Sequence, residues 1–402
     1  MNSVIAFVAL LVLSYFGGLL SSHRISRALG LASGVEYVLL GVVVGPQALG
    51  FFRLDMVLGF EPLLLMALGW LAAVLGIQYG HYGGERVPLK VVFMGLSIIA
   101  LSGAGIFSAV YFGCVLWLKL PAATALPLAL GSAAVASGSA HQAVRWATGG
   151  ESRANSLSRL LGGIGSVDDL LPFMLLAAFV VIAPVEQQAA QPAWVRPLLG
   201  IGLGVVLGAT VAALLGPKLH RSEFWSVLLG AVLLVVGLAL QLEIPLLTPV
   251  FLLGLTLALL SPHRRVIRQL VIETERPVLV PSLLLIGALV ELPQTRSEWC
   301  VVGIALAARL LLQFTLGATV SLFDRSLRGS GRILGQSLLS IGGASLAIGL
   351  TVFFRHPGQI GRVVLFVAVS ATLIGELLGG RALRRIALAE QALFEQELKV
   401  AG

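Results

Sequence analysis

Two adjacent carboxylates, Asp168 and Asp169, stand in Gly165-Ser166-Val167-Asp168-Asp169-Leu170-Leu171-Pro172, within an apolar stretch from 155 to 184. The chain has only four aspartates, Asp55, Asp168, Asp169 and Asp324, so half of them fall at one point of one hydrophobic segment. An aspartate at the centre of a membrane helix costs about 2.5 to 3.5 kcal/mol on insertion scales, which makes an intramembrane pair a candidate site for H+ or a cation. Adjacent helical residues point about 100° apart, so one carboxylate can face a partner while the other faces a cavity. Pro172 cannot donate to the carbonyl of Asp168, which leaves a backbone oxygen of the kind a hard cation such as Na+ uses. The matching positive charge is Arg309, in Ala305-Leu306-Ala307-Ala308-Arg309-Leu310-Leu311-Leu312. An arginine at that depth needs a carboxylate, and Asp168 or Asp169 is the expected partner; the alternative is an arginine that only sets helix register.

Composition says what must position these residues. Hydrophobic residues make up 57% and charged residues 11% of the 402, whereas a soluble domain carries about 25% charged residues. The sequence therefore reads as an all-α polytopic membrane protein. Its net charge of +8 is spread as single arginines and small clusters between apolar runs, a pattern of membrane topology rather than of nucleic-acid binding. Cys114 and Cys300 give neither a disulfide framework nor metal-ligand spacing, so no cofactor is expected, and the only metal would be a monovalent cation on Asp169. The first run, Val4 to Leu20, lacks a preceding basic region and is followed by His23, Arg24 and Arg27, so it reads as a retained span.

With about 20 apolar residues per span, helices are expected near 3–22, 32–50, 57–79, 91–117, 122–144, 155–184, 194–216, 222–241, 244–261, 276–292, 298–322, 333–354 and 361–380. Thirteen spans with the N-terminus outside put 20 lysines and arginines in inner segments and 6 in outer ones, leaving Arg309 alone within a span. This is the excess that inner loops carry, and it predicts a multi-pass protein of the cell (inner) membrane with its C-terminus cytoplasmic. Short loops predict one transport domain over 1–385. The tail, 386–402, is amphipathic and too short for a nucleotide-binding domain.

Small residues interrupt two spans at mid-depth. The fifth contains Ser137-Gly138-Ser139, followed by His141, and the twelfth contains Gly342-Gly343-Ala344-Ser345. Such runs serve either as close helix contacts or as the breaks of discontinuous helices that line a transport site. Each lies one span from a charged one, the fifth beside the sixth and the twelfth beside the eleventh, which favours the second use. Half-helix ends carry about half a unit of charge, which buried aspartate and arginine can neutralise. His141 is a candidate pH sensor or a hydrogen-bonded structural histidine. Glu376 is expected to pair with Arg381 or Arg159 at the inner surface, and Glu36 and Glu61 to be interfacial.

The Gly165-Ser166-Val167-Asp168-Asp169 core, the broken fifth span, the basic residue of the eleventh and Gly41-Val42-Val43-Val44-Gly45-Pro46 in the second together resemble the monovalent cation:proton antiporters of the second branch, the sodium/proton and potassium/proton exchangers. The resemblance covers about residues 5 to 385. It implies inverted repeats with two broken, crossing helices and a homodimer. Its dimer domain would comprise about 1–80 and 222–292, its mobile core about 91–184 and 298–380, and its linker helix 194–216. It also implies that Asp169 carries the ion or proton and that Asp168 pairs with Arg309. Two departures stand out. Ser137-Gly138-Ser139 replaces the family's usual Thr-Asp-Pro, Thr-Ser-Pro or Ser-Ser-Thr, and Arg309 replaces the lysine usual in electrogenic relatives.

The expected function is secondary active antiport of Na+ or K+ against H+, with both competing for Asp169 by alternating access. Burial favours its protonated form and the nearby arginine its ionised form. An arginine cannot release its proton as a buried lysine can, so Asp169 alone is left to titrate and exchange is expected to be electroneutral. Two alternatives use the same fold: a non-transporting membrane sensor subunit, and a carrier of organic anions coupled to Na+ or H+. The expected partners are the cation, H+, the lipid bilayer and a second copy of the chain, with no nucleic acid.

Overall fold

The computed structural model describes residues 12, 34–79, 81–82, 85–139, 156–183, 192, 194–215, 221–323 and 331–401. Their helices are α1 (Val35–Val44), α2 (Leu54–Leu58), α3 (Glu61–Gln78), α4 (Leu89–Phe112, prolonged by a π turn over Gly113–Trp117), α5 (Ala122–Ala136), α6 (Ser156–Gly165), α7 (Leu170–Ile182), α8 (Val195–Leu214), α9 (Arg221–Gln241), α10 (Leu247–Leu260), α11 (Arg264–Leu289), α12 (Arg296–Phe323), α13 (Gly331–Leu338), α14 (Gly343–Arg355) and α15 (Gln359–Ala401). A two-residue antiparallel ladder, His81–Tyr82 with Glu85–Arg86, lies between α3 and α4. Among the described residues, eight helical spans are long and apolar enough to cross a membrane, and four shorter apolar helices accompany them. Large apolar side chains such as Leu101, Leu116, Leu198, Val206 and Leu311 point outward, as a bilayer allows and water would not.

Described helices or helix pairs fall at the other twelve expected spans, the fifth being described only to Ser139; the first, 3–22, lies outside the described residues apart from residue 12. Three differ in form. The sixth is two helices, because Gly162, Gly163 and Gly165 weaken α6 and the chain turns through Ser166–Asp169 before α7 begins. Pro172 then falls in the first turn of α7, where a missing N–H leaves no helical bond unmade. The tenth starts at Arg264, so Arg264, Arg265 and Arg268 lie on a helix and not in a loop. The thirteenth does not stop at 380. It continues to Ala401 through a tail rich in Ala, Leu, Glu and Gln, all good helix formers.

The helices pack in two groups, α1, α3 and α8–α11 in one, α4–α7 and α12–α15 in the other, which meet chiefly through α7 and α14. In the first group α3 and α10 cross with their backbones touching. A Cβ on Gly76 would meet the carbonyl of Phe251, and one on Gly254 the carbonyl of Ala73. Among the described residues the second group repeats one succession: an intact helix (α4; α12), a helix that ends in the interior (α5; α13, with α14 after it), then a third span (α6–α7; α15). Nearly every residue of α14 is buried.

Candidate functional site

α5 and α13 both end in the interior. The last N–H bond of α5 runs from Ser137 to Ala133, and α13 tightens at its end, with Leu339 and Ser340 donating to Gln336 and Ser337. Each break therefore leaves carbonyls with no helical partner, at the negative end of a half-helix and away from water. Arg309, 2% exposed on α12, lies between the two ends. Its Nη1 donates to the carbonyls of Ala136 and Gly138 (3.0 Å to the latter), and its Nη2 to those of Leu338 (3.3 Å) and Leu339 (2.9 Å). One unit charge thus meets two half-charges, and the planar fork reaches both ends, which a lysine ammonium would not do.

This corrects the expected pairing. Among the described residues Arg309 makes no direct ion pair with Asp168 or Asp169; its donors go to carbonyls, although it still interacts with Asp168 through space. Asp168 is instead held by Ser139, whose N–H (2.7 Å) and hydroxyl both donate to Oδ2. Oδ1 of Asp168 is buried with no partner among the described residues. Asp168 is fully buried and Asp169 8% exposed. Asp169 stands at the N-cap of α7, where its carbonyl accepts from the Phe173 N–H at 3.3 Å. Two donors on Asp168 stabilise its ionised form, and Asp169 has no such bond among the described residues. Tyr79, at the end of α3, is within electrostatic reach of both aspartates. Its ring packs on Phe251 at 5.7 Å, and Phe251 on Phe173 at 4.9 Å, so the site borders the seam between the two helix groups.

The other expected residues fall as follows. Gly138 lies where an added Cβ would be 3.7 Å from both Pro172 and the hydroxyl of Ser345, so the fifth, sixth and twelfth spans converge there. Gly342 is the extended N-cap of α14, with Gly343 and Ser345 buried in its first turn. Ser137 is buried, and its hydroxyl has no partner among the described residues. His141 lies outside the described residues. Glu376 is not at a surface: it is fully buried on α15 and accepts from the hydroxyl of Ser340, beside the twelfth-span break. Gln313, 1% exposed and one turn beyond Arg309, donates to the Ser137 carbonyl (3.4 Å) and to Ser102 Oγ (3.3 Å). Charge alone does not reveal it; its spacing of four from Arg309 does.

The inner end of the fifth span and the break of the twelfth thus meet beside a buried carboxylate pair. Solved structures share the fold. The chain matches the sodium proton antiporter MjNhaP1 from Methanocaldococcus jannaschii, in its structure at pH 8, with a TM-score of 0.69 at 18% identity, covering 96% of this chain and 99% of that one. A structure of the same antiporter from an electron-microscopy map gives 0.68 at 14% identity, covering 97% and 98%. The chain therefore has the sodium/proton antiporter fold. Neither protein-family models nor curated protein sequences give a match.

Proposed function

We propose that the chain is a monovalent cation:proton antiporter of the second branch, exchanging Na+ or K+ for H+ at Asp169. The observation that carries this reading is the pair of aspartates buried at the convergence of two broken spans, with Arg309 neutralising the helix ends there. In this reading Asp168 keeps its charge on the two Ser139 donors, with Arg309 acting on it only through space. Asp169 is then the one group for which H+ and a cation compete. Because Arg309 keeps its proton throughout, exchange is one-for-one and electroneutral.

The packing of α1, α3 and α8–α11 in one group and of α4–α7 and α12–α15 in the other supports a dimer domain (1–80 and 222–292) and a mobile core (91–184 and 298–380); the linker (194–216) is carried over from the family resemblance. The core carries the site across the membrane between homodimer-forming scaffolds. The balance of basic residues supports an inner-membrane protein with its N-terminus outside and its C-terminus cytoplasmic.

The test is the chain in proteoliposomes containing a pH-sensitive dye, with a cation gradient imposed and the membrane potential clamped. Asp169→Asn is expected to abolish cation-driven proton movement while leaving the protein folded. Unchanged exchange in this variant refutes the site assignment, and a rate that follows the clamped potential refutes electroneutrality.

A further inference from the structure

Arg309 and Gln313 lie at i and i+4 on α12 and so project from the same face. Arg309 takes the carbonyls of Ala136 and Gly138, and the Nε2 of Gln313 takes that of Ser137 between them. All three successive carbonyls at the end of α5 are thereby engaged by one helix. Carbonyls of this kind, at the C-terminal end of a half-helix, are what alkali cations coordinate in broken-helix transporters. Here the positive end of an amide N–H occupies the approach to Ser137. Beside this break, the buried side-chain oxygens Asp168 Oδ1, Ser137 Oγ and Gln313 Oε1 have no partner among the described residues.

We infer that Gln313 is a specificity-determining residue. By occupying the Ser137 carbonyl it keeps that backbone oxygen of the fifth-span break from the ion, leaving side-chain oxygens such as Asp168 Oδ1 and Ser137 Oγ to meet it. This rests on the cation:proton exchange proposed above. A neutral carbonyl added to an anionic oxygen set changes both the affinity and the ranking of alkali ions, since selectivity follows the number and field strength of the ligands.

The experiment measures exchange with Li+, Na+ and K+ by reconstituted wild type, Gln313→Leu and Ser102→Ala. In Gln313→Leu the KM for the preferred cation is expected to fall at least about threefold, with maximal rate within about twofold and a changed Na+ to K+ ratio of kcat/KM. Ser102→Ala removes only the other acceptor of the amide and is expected to match wild type. An unchanged KM and ratio in folded Gln313→Leu, or the same change in Ser102→Ala, overturns the inference. Should Gln313→Leu not fold, Gln313→Met decides: it keeps the length of the side chain without the amide donor, so its KM is expected to fall as for Gln313→Leu, and an unchanged KM and ion ratio overturns the inference. Wild type that moves no protons with any cation refutes the exchange reading, whereas active wild type with an indifferent Gln313 refutes this inference alone.

Discussion

Arg309 shows what a charge inventory of a membrane protein leaves out. Its position in an otherwise apolar helix is plain in the sequence, and so is its need for compensation. The compensation itself is not: it comes from four carbonyls at the ends of two half-helices, and partial charges of backbone groups are invisible until the breaks are located in space. The same blindness applies to Gln313, whose amide carries no charge to betray it, and to Glu376, which the sequence places near a span end and the packing of α15 places in the interior. Arg309→Ala would leave those carbonyls and Asp168 uncompensated. It is expected to remove about 3–5 kcal/mol of stability, as breaking a buried ionic network does. Arg309→Lys keeps the charge but loses the fork and is expected to fall between. Thermal unfolding of the detergent-solubilised protein measures both, and an unshifted midpoint for Arg309→Ala contradicts the capping role.

At the scale of elements, helix positions were legible because apolar length is a strong signal, and the breaks of the fifth and twelfth spans because glycine and serine interrupt it. The break of the sixth is not legible in the same way: Gly162, Gly163 and Gly165 precede it, but the apolar run continues across it, so length alone shows one span. Why α15 lies so close to the twelfth break was also unreadable, since it depends on which glycine meets which carbonyl. A Cβ on Gly379 would lie 2.7 Å from the Gln336 carbonyl, and one on Gly375 would collide with that of Leu339. Gly379→Ala is therefore expected to cost about 1–3 kcal/mol by overpacking, and Gly375→Ala more. If instead both variants unfold at the wild-type temperature, the backbones are not in contact there.

At the scale of the molecule, the two helix groups are tied at one end by residues flanking the α14–α15 turn. Arg355 Nη2 donates to the Glu243 carbonyl at 3.0 Å, Arg196 of α8 reaches the Glu243 carboxylate at 3.8 Å, and Arg362 spans Glu298 (3.3 Å) and Glu291 (3.5 Å). Glu243 sits with φ 54°, a left-handed conformation that a non-glycine residue holds only when its surroundings fix it. Two of these contacts cross between the groups, Arg355 to the Glu243 carbonyl and Arg362 to Glu291, and relative sliding of the groups must part them; Arg196 to Glu243 and Arg362 to Glu298 each brace one group internally. With Cys114 and Cys300 replaced, a short reducible cross-linker between Glu291→Cys and Arg362→Cys is expected to stop exchange, and reduction to restore it. Exchange that persists in fully cross-linked protein means that the groups do not move against each other.

The bonds of Arg309 also order the assembly of the chain in time. Ala136 and Gly138 are already made when Arg309 leaves the ribosome, but Leu339 follows 30 residues later. At synthesis rates of ~5–20 residues per second that interval is on the order of seconds. During it α12 holds its guanidinium with only one of the two helix ends that will cap it, so α12 is a late-committing element of the bundle, fixed in the bilayer by a segment that emerges after it.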